Sequence, residues 1–125
     1  MNGQTKGQVE DILTKKAIIF YKALTGVGPT SAKTYIIEDM IMVRLQGPLL
    51  PIEKKLLSGK KGVEFVKNIR RNLHHLTVDE ISKIIKEVTN QNVISSHSDI
   101  STKTGEIVEI FVLDNNYQKQ LELQK

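Results

Sequence analysis

The stretch that decides the fold runs from Asn92 to Asp114 and reads NVISSHSDISTKTGEIVEIFVLD. Its first half is polar, its second half is almost wholly apolar, and a turn-forming segment at residues 102–105 separates them. Gly105 can adopt a positive φ at little steric cost, and a three-residue loop that ends in such a glycine is a common hairpin connection. We therefore predict a β-hairpin closed by this loop.

The length of this loop sets the predicted register, which pairs Ile100 with Val108 and Ser98 with Ile110. Because side chains alternate along a strand, the two faces follow directly. The face predicted to pack under helices carries Ile94, Ser96, Ser98, Ile100, Val108, Ile110 and Val112. The face predicted to be open carries Ser95, His97, Asp99, Glu109, Phe111 and Leu113. A two-residue turn would set Ile100 opposite Glu109 and mix the faces, so we rank it lower.

In this register Asp99 lies directly opposite Glu109, an unfavourable pair of like charges that a cation, a basic side chain or a raised pKa would have to offset. Together with His97, the two carboxylates form the ligand set of a divalent metal site and are sufficient for acid–base catalysis. We favour the alternative, a solvated or partner-covered face whose acids are neutralised by Arg44 or Lys33. The candidate functional surface comprises Tyr35, Arg44, His97, Asp99, Glu109 and Phe111.

The whole chain has 125 residues, which fits one domain. The absence of cysteine excludes disulfides and thiolate chemistry, and a formal net charge of +4 permits an acidic partner, a nucleic acid or an anionic membrane surface without selecting one. The polar N-terminus lacks the apolar segment of a secretory signal, and no apolar run is long enough to span a bilayer. We therefore expect a cytoplasmic protein without a transmembrane segment.

Hydrophobic periodicity predicts the remaining elements. A helix is expected over residues 6–24, with Gly26 as its left-handed cap. A first hairpin follows over residues 33–46, with a tight turn at Glu38 and Asp39 that pairs Ile36 with Ile41 and Thr34 with Val43.

Three helices are predicted next. A short one over residues 52–57 follows Pro51, and a longer one covers residues 61–76. Thr77 followed by Glu80 predicts a capping box that opens a third helix ending at Val88. The order α-ββ-ααα-ββ predicts an α+β fold of two layers, in which an antiparallel sheet of two hairpins carries helices on one face. Residues 1–114 form the predicted domain, and residues 115–125 form a polar tail, either a weak helix or disordered.

The long helix carries a basic ridge, Lys60, Lys61, Lys67, Arg70 and Arg71, that could contact phosphates. The candidate anion-binding residues are Lys60, Lys67, Arg70 and Arg71. A solvated helix face is the alternative that we favour, since the chain has no Trp and few aromatics for stacking on bases. His74 and His75 are neighbours on a helix and point in different directions, so we expect no joint metal site but an interaction with the helix C-terminus.

Several runs resemble the MpsC family, also called YbcI-like: residues 20–21, 25–30, 33–35, 39–40, 43–47, 53–54, 66–71, 95–106 and 111–113. Residues 95–106 are the most specific of them. Leu50 departs from the family, where a threonine that caps the helix at Pro51 is expected. The resemblance implies association with a bacterial membrane system that moves sodium or inorganic carbon and supports the membrane potential. It implies no established catalytic residues and no cofactor.

Three functions follow as hypotheses. The first, which we favour, is a non-catalytic accessory or regulatory protein that binds a protein partner, such as a membrane transport complex or, as a homodimer, a second copy through the open sheet face. It would then lie at the membrane only through that partner. The second is a nucleic-acid binder on the ridge from Lys60 to Arg71. The third is a small-molecule or metal-dependent enzyme at His97, Asp99 and Glu109.

Overall fold

The computed structural model describes residues 3–124. Its elements are α1 (Lys6–Thr25), β1 (Ser31–Ile37), β2 (Met40–Gln46), α2 (Pro51–Leu56), α3 (Lys60–Thr89), β3 (Val93–Ile100), β4 (Ile107–Leu113) and α4 (Tyr117–Leu123). The strands form one antiparallel sheet in the order β1-β2-β4-β3. α1 packs on β1 and α3 on β3. The predicted two-layer α+β fold is confirmed.

The first hairpin has the predicted register, with Ile36 opposite Ile41 and Thr34 opposite Val43. All four of these side chains are buried beneath the helices. The outer edge of β1 is also covered, because the Ile36 N–H donates to Glu10 Oε2 of α1 at 2.8 Å. A strand N–H that no neighbouring strand accepts is thereby satisfied by a helix side chain.

The second hairpin is shifted by one residue from the predicted register. Its loop has four residues, since Ser101 N–H donates to the Glu106 carbonyl at 2.9 Å and Gly105 N–H to the Ser101 carbonyl at 2.7 Å. Gly105 has the expected positive φ of 77°. The added loop residue places Ile107 opposite Ile100 and Val108 opposite Asp99.

This shift exchanges the faces of β4, as a change of register by one residue must, and leaves Ser96, Ser98 and Ile100 of β3 on the predicted face. Ile94 does not lie on that face as predicted, because the ladder is irregular between Val93 and Ser95: Val93 packs against the core and Ile94 is 65% exposed.

Ser98, not Asp99, lies opposite Glu109. Glu109, Phe111 and Leu113 now point into the core, where Phe111 has no exposed surface. Burying a side chain of that size stabilises the fold by roughly 3 kcal/mol, which favours this register over one that buries only the smaller Val108, Ile110 and Val112.

α3 is one helix of 30 residues, so the predicted break at Thr77 is wrong. The Thr77 hydroxyl does not cap a helix N-terminus but donates to the Leu73 carbonyl one turn earlier, at 2.6 Å. A threonine followed by a glutamate at the third position also fits a helix interior when the hydroxyl bonds backward in this way. The observed order is α-ββ-αα-ββ-α.

Within the predicted tail, α4 buries Tyr117 and Leu121, and it contacts α1 and β1. The Asn116 side chain caps it by accepting from Lys119 N–H at 3.0 Å. The boundary of the domain at Asp114 stays a prediction, and the outermost residues of that division, 1–2 and 125, lie outside the described part of the chain.

The core lies between the inner face of the sheet and the buried stripes of α1 and α3. The residues that fill it include Val9, Leu13, Ile36, Ile41, Leu45, Val66, Ile81, Ile85, Phe111 and Leu113. In the range 3–124, no helix has the length and apolar character needed to cross a bilayer.

Candidate functional site

No element of residues 3–124 covers the side of the sheet opposite the helices, and we call this side the open face. Its three rows, written from β1 through β2 and β4 to β3, are Lys33–Arg44–Val108–Asp99, Tyr35–Met42–Ile110–His97 and Ile37–Met40–Val112–Ser95. The apolar side chains of β2 and β4 in these rows are all partly exposed. The two rows without charged ends therefore form a continuous apolar strip across β2 and β4, which is bordered by Tyr35 and Ile37 on β1 and by His97 and Ser95 on β3.

The remaining row, Lys33–Arg44–Val108–Asp99, carries charged side chains at both of its ends. Lys33 lies with its Nζ 5.4 Å from the centre of the Tyr35 ring. Arg44 contacts Glu106 with Nη2 at 2.8 Å, and this hydrogen-bonded contact raises the pKa of the Arg44 guanidinium. Neither Lys33 nor Asp99 forms an ion pair within residues 3–124. The open face thus has a basic end on β1 and β2 and an acidic end on β3.

Of the six residues predicted for the functional surface, Tyr35, Arg44, His97 and Asp99 lie on the open face, whereas Glu109 and Phe111 are buried on the other side of the sheet. The predicted repulsion between Asp99 and Glu109 is therefore wrong, because the four-residue loop separates them onto opposite faces. It also separates His97 from Glu109, so the predicted metal or acid–base site does not assemble. Among residues 3–124, no group of three or more His, Asp or Glu is placed to hold a metal ion.

Glu109 is instead the centre of a buried polar network. Tyr21 of α1 donates its hydroxyl to Glu109 Oε1, and His74 of α3 lies with Nδ1 at 3.0 Å from Oε2. His74 Nε2 is 2.9 Å from the Ser96 hydroxyl of β3. An ionised carboxylate only accepts hydrogen bonds, so Nδ1 is the donor to Glu109. The network connects two helices to the two strands of the second hairpin.

Burial raises the pKa of the Tyr21 hydroxyl far above its ordinary value of 10.0, and the charge of Glu109 and the hydrogen bond to it add to the effect. The nearby Arg70 opposes it. Tyr21 is therefore protonated at any physiological pH and remains a donor to Glu109.

The connectivity Ser96–His74–Glu109 matches that of a serine-hydrolase triad. In hydrolases of the α/β class, however, the nucleophile sits on a sharp turn between a strand and a helix, which exposes its hydroxyl. Ser96 lies within the regular strand β3, paired with Phe111. We interpret the network as one that positions the hairpin against α1 and α3.

A cleft opens beside this network between α3 and β3, and we call it the α3–β3 cleft. Its polar lining consists of Tyr21, Lys67, Arg70, Arg71, His74, Thr77, Ser98, Asp99 and Glu109. The predicted basic ridge is divided here. Lys60 does not line the cleft, and Arg70 turns inward, with its side chain only 9% exposed.

Arg70 forms a two-point contact with Glu53 of α2, with Nε at 2.8 Å from Oε2 and Nη2 at 2.6 Å from Oε1. Glu53 Oε1 also accepts from Leu50 N–H at 2.8 Å, so α2 is capped by this glutamate and not by the side chain at position 50. Arg70 therefore points from the exposed ridge into the cleft, which leaves the ridge without one of its predicted cations and counts against the second hypothesis.

Tyr21, His74, Ser96 and Glu53 were not predicted as site residues. A signal exists for His74, which lies on the buried stripe of α3 together with Val66, Arg70, Thr77, Ile81 and Ile85 at helical spacing. Polar residues in the middle of an otherwise apolar stripe indicate a buried polar network. The helix-terminus account of His74 is wrong, because α3 continues to Thr89.

The fold and site define a small two-layer α+β protein with an uncovered sheet face and a buried network of tyrosine, glutamate and histidine. The family model described as "Na+-translocating membrane potential-generating system (MpsC)" matches residues 5–115. The chain is 36% identical over 119 residues to the uncharacterized protein YbcI of Bacillus subtilis (strain 168), covering 95% of this chain and 96% of that protein. The chain therefore belongs to the MpsC family, as the resemblance predicted. No solved structure matches it.

Proposed function

We propose that this chain is a non-catalytic accessory or regulatory protein of a Na+-translocating membrane system and that it acts as a symmetric dimer through the open face. The family description supports the association with such a system. The observation that carries the dimer is the uncovered apolar strip across β2 and β4, flanked by Tyr35 and His97.

The size of the open face is compatible with a specific interface. Strands of seven or eight residues, spaced by ~4.8 Å and rising ~3.3 Å per residue, make a four-stranded face of ~19 by ~23 Å. Its projected area is therefore about 440 Å², and side chains that rise above the sheet would have to add contacts to reach the ~600 Å² per partner at the low end of specific interfaces. The apolar strip occupies two of the three rows, and exposed apolar patches of a few hundred Å² are often functional. We expect a dimer that dissociates on dilution.

A second copy is the occupant that the charges favour. When two sheets pack face to face around a twofold axis parallel to their strands, β1 of one copy lies over β3 of the other, and each row lies over the same row. The row Lys33–Arg44–Val108–Asp99 then places the basic end of one copy over the acidic end of its partner, twice by symmetry. The apolar rows meet each other at the centre, as in an aligned β-sandwich.

Size-exclusion chromatography with light scattering tests the dimer over a range of concentrations. We expect the parent to be dimeric at about 100 μM and Ile110→Asp to be monomeric, because a carboxylate in the apolar strip would be buried without a partner. Ile19→Asp is the matched control, since Ile19 is 69% exposed on α1. A parent that is monomeric at every concentration, or two variants with equal effects, would contradict the dimer.

The same two variants test the accessory role in the cell that encodes the protein. After deletion of the gene, we expect a loss of sodium-dependent membrane potential, measured with a potential-sensitive dye. The parent and Ile19→Asp should restore it and Ile110→Asp should not. A deletion strain with an unchanged potential under sodium-limited and sodium-rich conditions would refute the accessory role and leave the dimer unaffected.

A further inference from the structure

We propose that the α3–β3 cleft binds a small oxyanion of the phosphate type. The cleft lies between α3 and β3 and shares only Asp99 with the open face, so the anion site does not depend on the dimer. Its basic side chains come from one face of α3, Lys67, Arg70 and Arg71, and a hydroxyl comes from Ser98 of the facing strand. The proposed accessory role and dimer use none of these four groups.

Lys67 places a partly buried cation at the cleft. Lys67 is partly buried at the cleft yet forms no ion pair within residues 3–124, whereas Lys6 and Lys15 of α1 both pair with an acid one turn away. Among the described residues, Arg71 makes one side-chain hydrogen bond, from Nη1 to the Asn68 side-chain oxygen at 2.8 Å. The cleft therefore presents positive charge that no acid among residues 3–124 pairs with, and a bound anion would supply the missing counter-charge.

Arg70 is a hydrogen-bond donor whose orientation is fixed by its neighbours. Glu53 and the Pro48 carbonyl hold Arg70 through Nε and Nη2. Its Nη1 makes no hydrogen bond to any residue in the range 3–124, and the side chain lines the cleft. A guanidinium fixed in this way offers its remaining donors to an oxyanion at little cost in side-chain entropy.

The acidic groups of the cleft already have local donors. Glu109 accepts from Tyr21 and His74, and Asp99 Oδ1 accepts from Ile100 N–H at 2.9 Å. The hydroxyl of Ser98 lies 3.5 Å from Glu109 Oε2, at the limit of a hydrogen bond, so it can turn toward a ligand. The cleft volume of about 40 Å³ suits a few waters or one small oxyanion.

The test is an NMR titration of the labelled protein with inorganic phosphate, against sodium chloride at matched ionic strength. We expect saturable shifts of the Ser98 amide with phosphate and not with chloride. Lys67→Met should weaken phosphate binding at least tenfold, and Ser98→Ala should weaken it severalfold. Lys61→Met is the matched control, because Lys61 is exposed on the same helix and does not line the cleft, and it should leave binding unchanged.

The source of the phosphate group is resolved by a parallel titration with glycerol 3-phosphate. Binding at least as tight as that of inorganic phosphate, with the same dependence on Lys67, supports a site for a phosphorylated small molecule. Binding of inorganic phosphate without binding of glycerol 3-phosphate supports a site for the free phosphate anion. Equal effects of Lys67→Met and Lys61→Met, or no response to either ligand, would overturn the proposal. Ser98→Ala keeps the test valid should Lys67→Met fail to fold.

Discussion

At the scale of single residues, the buried carboxylate of Glu109 has a hydrogen-bond partner on each oxygen. Tyr21 donates to Oε1 and His74 to Oε2, although Glu109 itself is only 4% exposed. A buried charge is tolerated only with such partners, and removing one leaves the other group unsatisfied. Each donor is therefore worth more to stability than an ordinary exposed hydrogen bond.

Tyr21→Phe should destabilise the protein by about 2 kcal/mol at pH 7, because it removes a donor to a buried carboxylate. Chemical denaturation of the parent and the variant measures the difference. Tyr35→Phe is a suitable control, since Tyr35 lies on the open face and is partly exposed. Equal free energies of unfolding for Tyr21→Phe and the parent would show that the network contributes nothing to stability.

The cost of Tyr21→Phe should also depend on pH. Because burial raises the pKa of folded Tyr21 above the ordinary 10.0, only the unfolded state loses this proton as the pH passes that value. The stabilisation is complete below pH 10 and declines above it, so the cost of the variant should shrink by ~0.8 kcal/mol at about pH 10.5. A cost that is constant or grows with pH would mean that Tyr21 ionises in the folded state.

At the scale of elements, the two hairpins differ in how strongly the sequence determines their register. In the first, the two-residue turn at Glu38 and Asp39 leaves one register, and the prediction was correct. In the second, a left-handed glycine fits loops of three or four residues. The four-residue loop is stabilised by hydroxyls within it. Thr104 N–H donates to Ser101 Oγ, and Glu106 N–H donates to Thr104 Oγ1.

The candidate site was less predictable than the fold because it depends on contacts distant in sequence. The hydrogen bond from Tyr21 to Glu109 spans 88 positions, and that between His74 and Glu109 spans 35. Hydrophobic periodicity places each of these residues on an element but does not say which elements meet. The error of one residue in β4 then moved Glu109 to the wrong side of the sheet.

The contact between α2 and α3 depends on a glycine. A Cβ at Gly62 would lie 1.8 Å from the Leu56 carbonyl oxygen, and the helices would have to separate. Gly62→Ala should therefore destabilise the protein by about 2 kcal/mol despite the better helix propensity of alanine. Gly7→Ala in α1 meets nothing within 4 Å and should instead stabilise by ~0.5 kcal/mol. Thermal unfolding of the parent and both variants measures these changes in stability. A Gly62→Ala variant more stable than the parent would contradict the close packing of α2 on α3.

At the scale of the whole molecule, one sheet serves two purposes. Its inner face buries the core and the Glu109 network, and its open face retains an apolar strip between oppositely charged ends. The shift in β4 makes the open face more apolar than predicted, since Val108, Ile110 and Val112 replace Glu109, Phe111 and Leu113. The observed register therefore gives the open face more apolar side chains for contact with a protein partner than the predicted register does.

Charge reversal tests the proposed orientation of the dimer. Lys33→Asp should weaken association by about tenfold, because the contact with the partner's acidic end occurs twice at ~0.7 kcal/mol each. Lys33→Asp combined with Asp99→Lys should restore it, since the attraction is then re-formed with the signs exchanged. Sedimentation equilibrium gives the constants. Additive losses in the double variant would exclude a twofold axis parallel to the strands.

The treatment of the two outer strands limits what this sheet can build. On the outer edge of β1, the Ile36 N–H, which could otherwise pair with a further strand, donates to Glu10. β3 carries serines, a histidine and an aspartate, and its ladder is irregular between Val93 and Ser95. Strands with such features do not recruit the edge of another sheet. Lateral growth into fibrils is therefore disfavoured, so a concentrated solution should contain closed pairs and no open-ended polymer.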